Sequence, residues 1–335
     1  QTHKFFGSVE DCYAGTRGVD IATKLEGQLK DYPSVKVWTN ASCLAVFSDK
    51  KAGVLRGDKY YLVRPKAVIS ATGAREKSLA FPGNTLPGVY GAGAFQTLVN
   101  RDLVRPAKRL FIVGGGNVGL IAAYHALQAG IKVVGLIEAQ ARCGGYKVHE
   151  DKIRRLGVPV YTRHTILRAE GKEGLETVTI AGVDDKFCPH PGTGKTFKAD
   201  TLLIAVGLNP VDEFHAQALE AGMEAFVCGD AEEIAEASAA MFSGKITAHK
   251  VLKSLGLMSS PVPQFWFDRL EVLKSRPGAT EVPAEEKHAS PVYPVLHCRQ
   301  EIPCNPCVTV CPKRSIKLSG DSIMTTPRFS GECIG

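Results

Sequence analysis

No stretch of this 335-residue chain reaches the roughly 18 consecutive apolar residues that a helical membrane span needs, and nothing in it resembles a secretion signal. Neither a bilayer span nor an exported protein is expected. Also lacking is any run of lysine and arginine. The formal charge of +7 is spread along the chain, which argues against a nucleic-acid partner and asks only for a face that attracts small anions. A disulfide framework is missing as well. Of ten cysteines, Cys298, Cys304, Cys307, Cys311 and Cys333 crowd into the last 38 residues and the rest are scattered, which reads as a metal-binding tail on a reduced, cytoplasmic protein. An initiator methionine is absent, and the last residues, Cys333-Ile-Gly335, look like the opening of another cysteine motif. The expectation is a piece of a longer protein.

What is present centres on residues 110–120, Leu-Phe-Ile-Val-Gly-Gly-Gly-Asn-Val-Gly-Leu. Four apolar residues make a buried strand, and Gly114, Gly116 and Gly119 fall in the G-x-G-x-x-G spacing, with Gly115, Asn117 and Val118 between them. Gly114 permits a tight turn, Gly116 lets backbone approach a diphosphate, and Gly119 lets helix and strand pack closely. The diphosphate would rest on the N-terminus of a helix over 120–129, which Gly130 ends. A second strand over 132–137 finishes at Glu138, nineteen residues after Gly119, where an acid meets a ribose 2′-hydroxyl. The competing reading is an ordinary glycine-rich strand–helix turn.

Around this unit the pattern predicts a helix over 17–29 and strands at 35–38, 42–47 and 60–63, with a turn at 53–57. Residues 67–74 read as a buried strand ending in Thr72-Gly73, and 82–88 as a turn-rich crossing between domains. Further on come a helix at 151–156 and strands at 159–162, 176–180 and 201–207, the last ending in Gly207. An apolar strand at 225–228 closes on Gly229-Asp230, and a long helix runs to 255. Residues 257–292 read as a linker carrying one amphipathic piece, 265–273. The run Gly192-Thr-Gly-Lys-Thr196 ends like a phosphate-binding P-loop, but Pro189 stands where that motif needs glycine. It reads as a surface turn between strands.

Taken in order, these pieces resemble the two-dinucleotide-binding flavoproteins, the pyridine nucleotide-disulfide oxidoreductase type. In that family a nicotinamide domain is inserted into an FAD domain, between an A-T-G strand end and a G-D strand end. Here Ala71-Thr72-Gly73 and Gly229-Asp230 bracket Gly114–Gly119, and Ala205-Val206-Gly207 matches the returning strand. The resemblance implies an α/β fold: a Rossmann-like FAD domain (1–84 and 199–256), an inserted Rossmann NAD(P)-binding domain (85–198), the linker, and a small ferredoxin-like iron–sulfur segment (293–335). By the same resemblance Asp230 accepts from the FAD ribityl chain, Gly229 allows close approach, and Thr72-Gly73 pass near the FAD diphosphate. The family's first FAD unit, with its own glycine motif, is not in this sequence and is expected before Gln1. A redox cysteine pair is also absent from residues 91–96, where thioredoxin reductases carry one, so a dithiol–disulfide reductase is disfavoured. Cys143 and Cys228 read as structural. The run from Phe81 to Val89 and the opening Gln1-Thr-His-Lys-Phe-Phe-Gly7 look most like FAD subunits of amine, opine and proline dehydrogenases, which makes His3 a candidate near the flavin beside a packing or surface role.

The tail spacing Cys304-x₂-Cys307-x₃-Cys311-Pro312 resembles the end of a bacterial ferredoxin run, with Cys298 in place of the cysteine missing at Glu301. That resemblance implies Cys298, Cys304 and Cys307 on one [4Fe–4S] cluster and Cys311 with Cys333 on a second. A zinc site is the rival, since four cysteines also suit zinc. The sequence thus predicts an FAD-dependent oxidoreductase that exchanges a hydride with NAD(P)H, NAD favoured, or with an organic donor, and passes electrons to clusters. Arg142, close to Glu138, blurs the NAD preference. The alternatives are a dehydrogenase subunit with a vestigial nicotinamide site and a non-catalytic electron-transfer subunit. An electron-transfer partner or further dehydrogenase subunits are expected.

Overall fold

The computed structural model describes residues 18–274 and two short strands, Ile316–Leu318 and Pro327–Phe329. His3 and the five tail cysteines lie outside the described residues. Helix α1 (Gly18–Gln28) is followed by an antiparallel meander of β1 (Ala41–Phe47), β2 (Lys51–Arg56) and β3 (Lys59–Val63). Next come β4 (Val68–Ser70), β5 (Ala74–Glu76), β6 (Val89–Gly91) and α2 (Ala92–Asn100). The glycine-rich unit is β7 (Arg109–Val113), α3 (Asn117–Gln128) and β8 (Lys132–Glu138). After it stand α4 (Lys147–Arg155), β9 (Val160–Thr162), β10 (His164–Glu170), β11 (Thr177–Gly182), β12 (Lys195–Lys198) and β13 (Thr201–Ile204). The chain returns through β14 (Leu208–Pro210), α5 (Glu213–Glu220), β15 (Ala225–Val227), α6 (Ala237–Ser254) and α7 (Gln264–Leu273).

Residues 89–204 form three layers. The middle one is a five-stranded parallel sheet in the order β6-β13-β7-β8-β9. Side chains alternate across it as strand geometry requires. Leu110, Ile112, Leu136 and Leu203 face Phe95 of α2, Leu120 and Ala123 of α3, and Ile153 of α4. Phe111, Val113, Ile137, Leu202 and Ile204 pack with Val178 and Ile180 of the antiparallel β10-β11-β12 layer and with Ala199 just after it. Phe111 is wholly buried, and a side chain of that size contributes about 2–3 kcal/mol by leaving water. Helix α3 ends as its glycine dictates. Gly130 takes φ +69°, its N–H bonds Leu127 O, and Ile131 N–H bonds Ala126 O at 2.9 Å, a Schellman close that satisfies the last carbonyls.

Two short ladders join the segments before and after this body. Strand β5 pairs antiparallel with β14, and β4 pairs parallel with β15. Helix α7 packs on α6 through Leu270, Leu273 and Trp266 against Phe242 and Ile246, so the amphipathic piece expected at 265–273 is a packed helix.

Three local expectations are corrected. Residues 35–38 form no ladder, although the Trp38 ring packs tilted against Tyr61 with centroids 4.9 Å apart. The turn expected at 53–57 begins only at Gly57, at φ +61°, because residues 53–56 belong to β2; Gly53 sits where the Tyr60 ring of β3 would overlap a Cβ, so glycine here makes room across a ladder. The stretch 67–74 splits into β4 and β5 around Gly73 at φ +73°, and Ile69 is 46% exposed because β4 pairs only with β15 among the described residues.

Candidate functional site

The strand order reverses beside β7. The chain goes from β7 through α3 to β8 on one side, while β13 enters on the other, and ligands of open parallel sheets bind at such a point, past the strands' carboxyl ends. A crevice of about 480 Å³ lies there, its lining including Gly114, Gly116, Asn117, Glu138, Gly207, Glu76 and His164.

Each glycine has a separate steric reason. Gly114 holds φ +111°, and a Cβ on it would strike the Ala205 carbonyl group. Gly119 faces the Gly114 carbonyl so closely that a Cβ would overlap it and stand 3.3 Å from Ala205 Cβ. Gly115 is closed in by Cys143 Sγ and Glu138 Oε2, at 2.8 and 3.0 Å from an added Cβ. Gly116 is different. It caps α3 at φ −71° and ψ 173°, a conformation open to any residue, and nothing lies within 4 Å of its Cβ position. The first-turn N–H groups of α3 have no helical acceptor, and they sit beside this bare backbone.

Glu138 ends β8 with both oxygens engaged. Oε2 accepts from Gly115 N–H at 2.8 Å and Oε1 from Gln140 N–H at 2.9 Å. A second carboxylate with no place in the sequence reading, Glu76, also lines the crevice and accepts Gly93 N–H at 2.6 Å. No local signal in the sequence marks it, since its partner is seventeen residues away on another element. His164 was missed as well. Its Nδ1 faces the Thr162 carbonyl at 2.7 Å, which only accepts, so Nδ1 carries a proton. The Cys143 thiol is pushed up to about 12, by burial first and then by Glu150 and Glu138. It is a packing thiol and no nucleophile. Arg142 is exposed and does not line the crevice.

The remaining predicted residues gather elsewhere. At the ends of β4 and β15, Cys228 N–H bonds Ser70 O at 3.1 Å, which brings Thr72-Gly73 beside Gly229-Asp230. The Ser70 hydroxyl donates to Thr72 Oγ1 at 2.9 Å, and Thr72 donates to the Val211 carbonyl. Gly229 takes φ +63°, and its N–H bonds Ser243 Oγ at 3.1 Å. Asp230 accepts Ala235 N–H through Oδ1 at 3.3 Å, and its Oδ2 has no partner among the described residues. Glu236, at the start of α6, is held above the ordinary carboxylate range by burial and by Asp230, against the lowering effect of the Tyr146 hydroxyl.

A model of the pyridine nucleotide-disulphide oxidoreductase family matches residues 12–240. The chain belongs to that family. Its members bind FAD and a nicotinamide nucleotide, and the residues present fit both. The open Gly116 backbone and the start of α3 suit a dinucleotide diphosphate. Gly73, with empty space at its Cβ position, and the free Asp230 oxygen suit a second dinucleotide. The sequence is 25% identical over 289 residues to the hydrogen cyanide synthase subunit HcnB of Pseudomonas protegens, covering 74% of this chain and 61% of that protein. The chain thus spans less than two thirds of this relative's length. Two solved structures share the fold. L-proline dehydrogenase from P. horikoshii superposes with a TM-score of 0.54 at 22% identity, over 79% of this chain and 50% of that one. T. acidophilum thioredoxin reductase superposes with a TM-score of 0.57 at 17% identity, over 75% and 86%. Among the described residues no helix is long and apolar enough to cross a membrane.

Proposed function

We propose that this chain is the flavin- and nicotinamide-binding part of an oxidoreductase that moves a hydride between NADH and FAD and sends electrons on to [4Fe–4S] clusters. The crevice carries this reading. Its floor is bare glycine backbone at a helix start, and Glu138 stands where a ribose 2′-hydroxyl would lie. Glu138 would repel a 2′-phosphate, which favours NADH over NADPH. Thr72, Gly73, Gly229 and Asp230 would hold FAD. FAD, when bound, converts two-electron into one-electron transfer. The domain limits follow as proposed: 1–84 with 199–256 for FAD, and 85–198 for the nicotinamide nucleotide.

The cysteine spacing supports the outlet for electrons: Cys298, Cys304 and Cys307 for one cluster, and Cys311 with Cys333 for another. Two observations speak against a dithiol–disulfide reductase. Residues 91–96 hold no cysteine, and the start of α2, where a helix dipole would stabilise a thiolate, is taken by the Glu76 carboxylate. The relative named as a subunit supports partners among other dehydrogenase subunits. A second reading, a dehydrogenase subunit with a vestigial nicotinamide site, is favoured by one feature: both Glu138 oxygens are already satisfied by backbone N–H groups.

The test is NADH oxidation by the full-length, FAD-loaded protein with an artificial one-electron acceptor, together with iron and sulfide analysis. Turnover with NADH and about eight irons per chain, two four-iron clusters, are expected. No NADH turnover, with an amine or imino acid as donor instead, establishes the second reading. Zinc without iron removes the cluster outlet.

A further inference from the structure

The parallel sheet fixes which half of a dinucleotide goes where. With the diphosphate on Gly114–Gly116 and the adenosine ribose at Glu138, the adenosine half lies over β8. The nicotinamide half must then lie on the far side of β7, over β13 and the segment that leaves it. That segment runs through Val206 and Gly207 into β14, whose first residue Leu208 pairs with Glu76 of β5. Glu76 therefore lines the nicotinamide end of the crevice.

Its carboxylate is built into place. Oε1 takes Gly93 N–H at 2.6 Å. A Cβ at Gly91 would overlap the carboxylate, and one at Gly93 would stand 3.4 Å from its carbon. The sequence Gly91-Ala-Gly93 is the space this side chain occupies. Oε2 has no hydrogen bond among the described residues. Of the neighbouring cations, Arg75 is paired with Glu213 at 2.5 Å, and Lys77 runs its stem past Gly207, with Cδ 3.6 Å from the Cβ position there.

We propose that Glu76 sets which redox form of the nicotinamide this crevice prefers, its carboxylate favouring the oxidised, positively charged ring over the reduced, neutral one. The proposal rests on reading the crevice as the dinucleotide site. The two forms share the adenosine, both riboses and the diphosphate, so a charge beside the ring is what tells them apart. Tighter binding of the oxidised form lowers the potential of the bound couple and makes bound NADH a stronger hydride donor toward the flavin.

The experiment is calorimetric titration of the FAD-loaded, full-length protein with NAD⁺ and with tetrahydro-NAD, an analogue whose ring is uncharged and cannot donate hydride. Glu76→Gln still accepts the Gly93 N–H and drops only the charge. It should weaken NAD⁺ about fivefold, the scale of one partly solvated charge pair, and leave tetrahydro-NAD within about twofold. Glu76→Asp, which keeps the charge, should keep the preference. Equal changes for both ligands in Glu76→Gln, no change in either, or loss of the preference in Glu76→Asp overturns the proposal. Gly116→Val separates the two layers. If it leaves NAD⁺ binding untouched, the dinucleotide reading has failed and the proposal with it. If it abolishes binding while Glu76→Gln shows no discrimination, the proposal alone has failed.

Discussion

Replacing Gly119 by alanine sets two effects of known size against each other. Gly119 lies in the first turn of α3, and alanine in a helix gains about 1 kcal/mol over glycine from backbone entropy. On propensity alone the variant is stabilised. The structure says the reverse. The new methyl would overlap the Gly114 carbonyl and touch Ala205 Cβ at 3.3 Å. Gly114 cannot retreat, because it sits at φ +111° with its N–H bonded to Ile137 O at 2.8 Å. Helix α3 would have to lift from the sheet, loosening Leu120, Ala122, Ala123 and Ala126, all fully buried. Overpacking of this kind costs about 2–3 kcal/mol, so the net loss is about 1–2 kcal/mol once the propensity gain is subtracted. Urea unfolding followed by circular dichroism measures it, and NAD⁺ affinity should fall in the same variant because the helix start moves. A Gly119→Ala protein as stable as the parent would refute the close-packing role.

Glu138→Gln removes the charge that repels a 2′-phosphate, so the ratio of flavin reduction rates with NADH and NADPH should narrow by about tenfold; an unchanged ratio means Glu138 does not face the ribose. Iodoacetamide at pH 8 should label the exposed Cys43 and Cys188 and spare Cys143, whose thiol is pushed up to about 12; peptide mass spectrometry reads this, and equal labelling would contradict it. For Glu236, raised by burial and by Asp230, the native state holds its proton more tightly than the unfolded chain, so stability falls as pH rises from the unfolded value through the native one. Glu236→Gln keeps an acceptor for Tyr146 and should raise the melting temperature at pH 7, with the gain fading as the pH drops toward 4. A gain independent of pH would exclude the charge as its cause.

The glycine-rich unit was legible because its constraint is local. Gly114 and Gly119 are demanded by one turn and one helix–strand contact within ten residues, Gly116 stands between them at the helix cap, and the acid that ends β8 follows at a fixed distance. Misreadings occurred where the cause lay in distant residues. Gly53 read as a turn since glycine usually marks one, yet it answers to Tyr60 across the ladder. Residues 35–38 carry a strand-like pattern but meet no partner strand. Strand β10 escaped the sequence reading altogether, its His-Thr-Ile-Leu-Arg-Ala-Glu lacking a clean alternation. Glu76 could not be found from spacing, because its meaning depends on β14 and α2 arriving from opposite directions.

The most direct measurement of the central claim uses Gly116. Its backbone conformation suits any residue, and apart from its own chain neighbours nothing lies within 4 Å of its Cβ position, so the first carbon that Gly116→Val adds meets no packed side chain. Unfolding should stay within about 1 kcal/mol of the parent, the scale of a cap exchange. NAD⁺ affinity, measured by calorimetry, should fall at least about tenfold as the diphosphate loses its approach. A Gly116→Val protein that binds NAD⁺ as tightly as the parent would contradict the account.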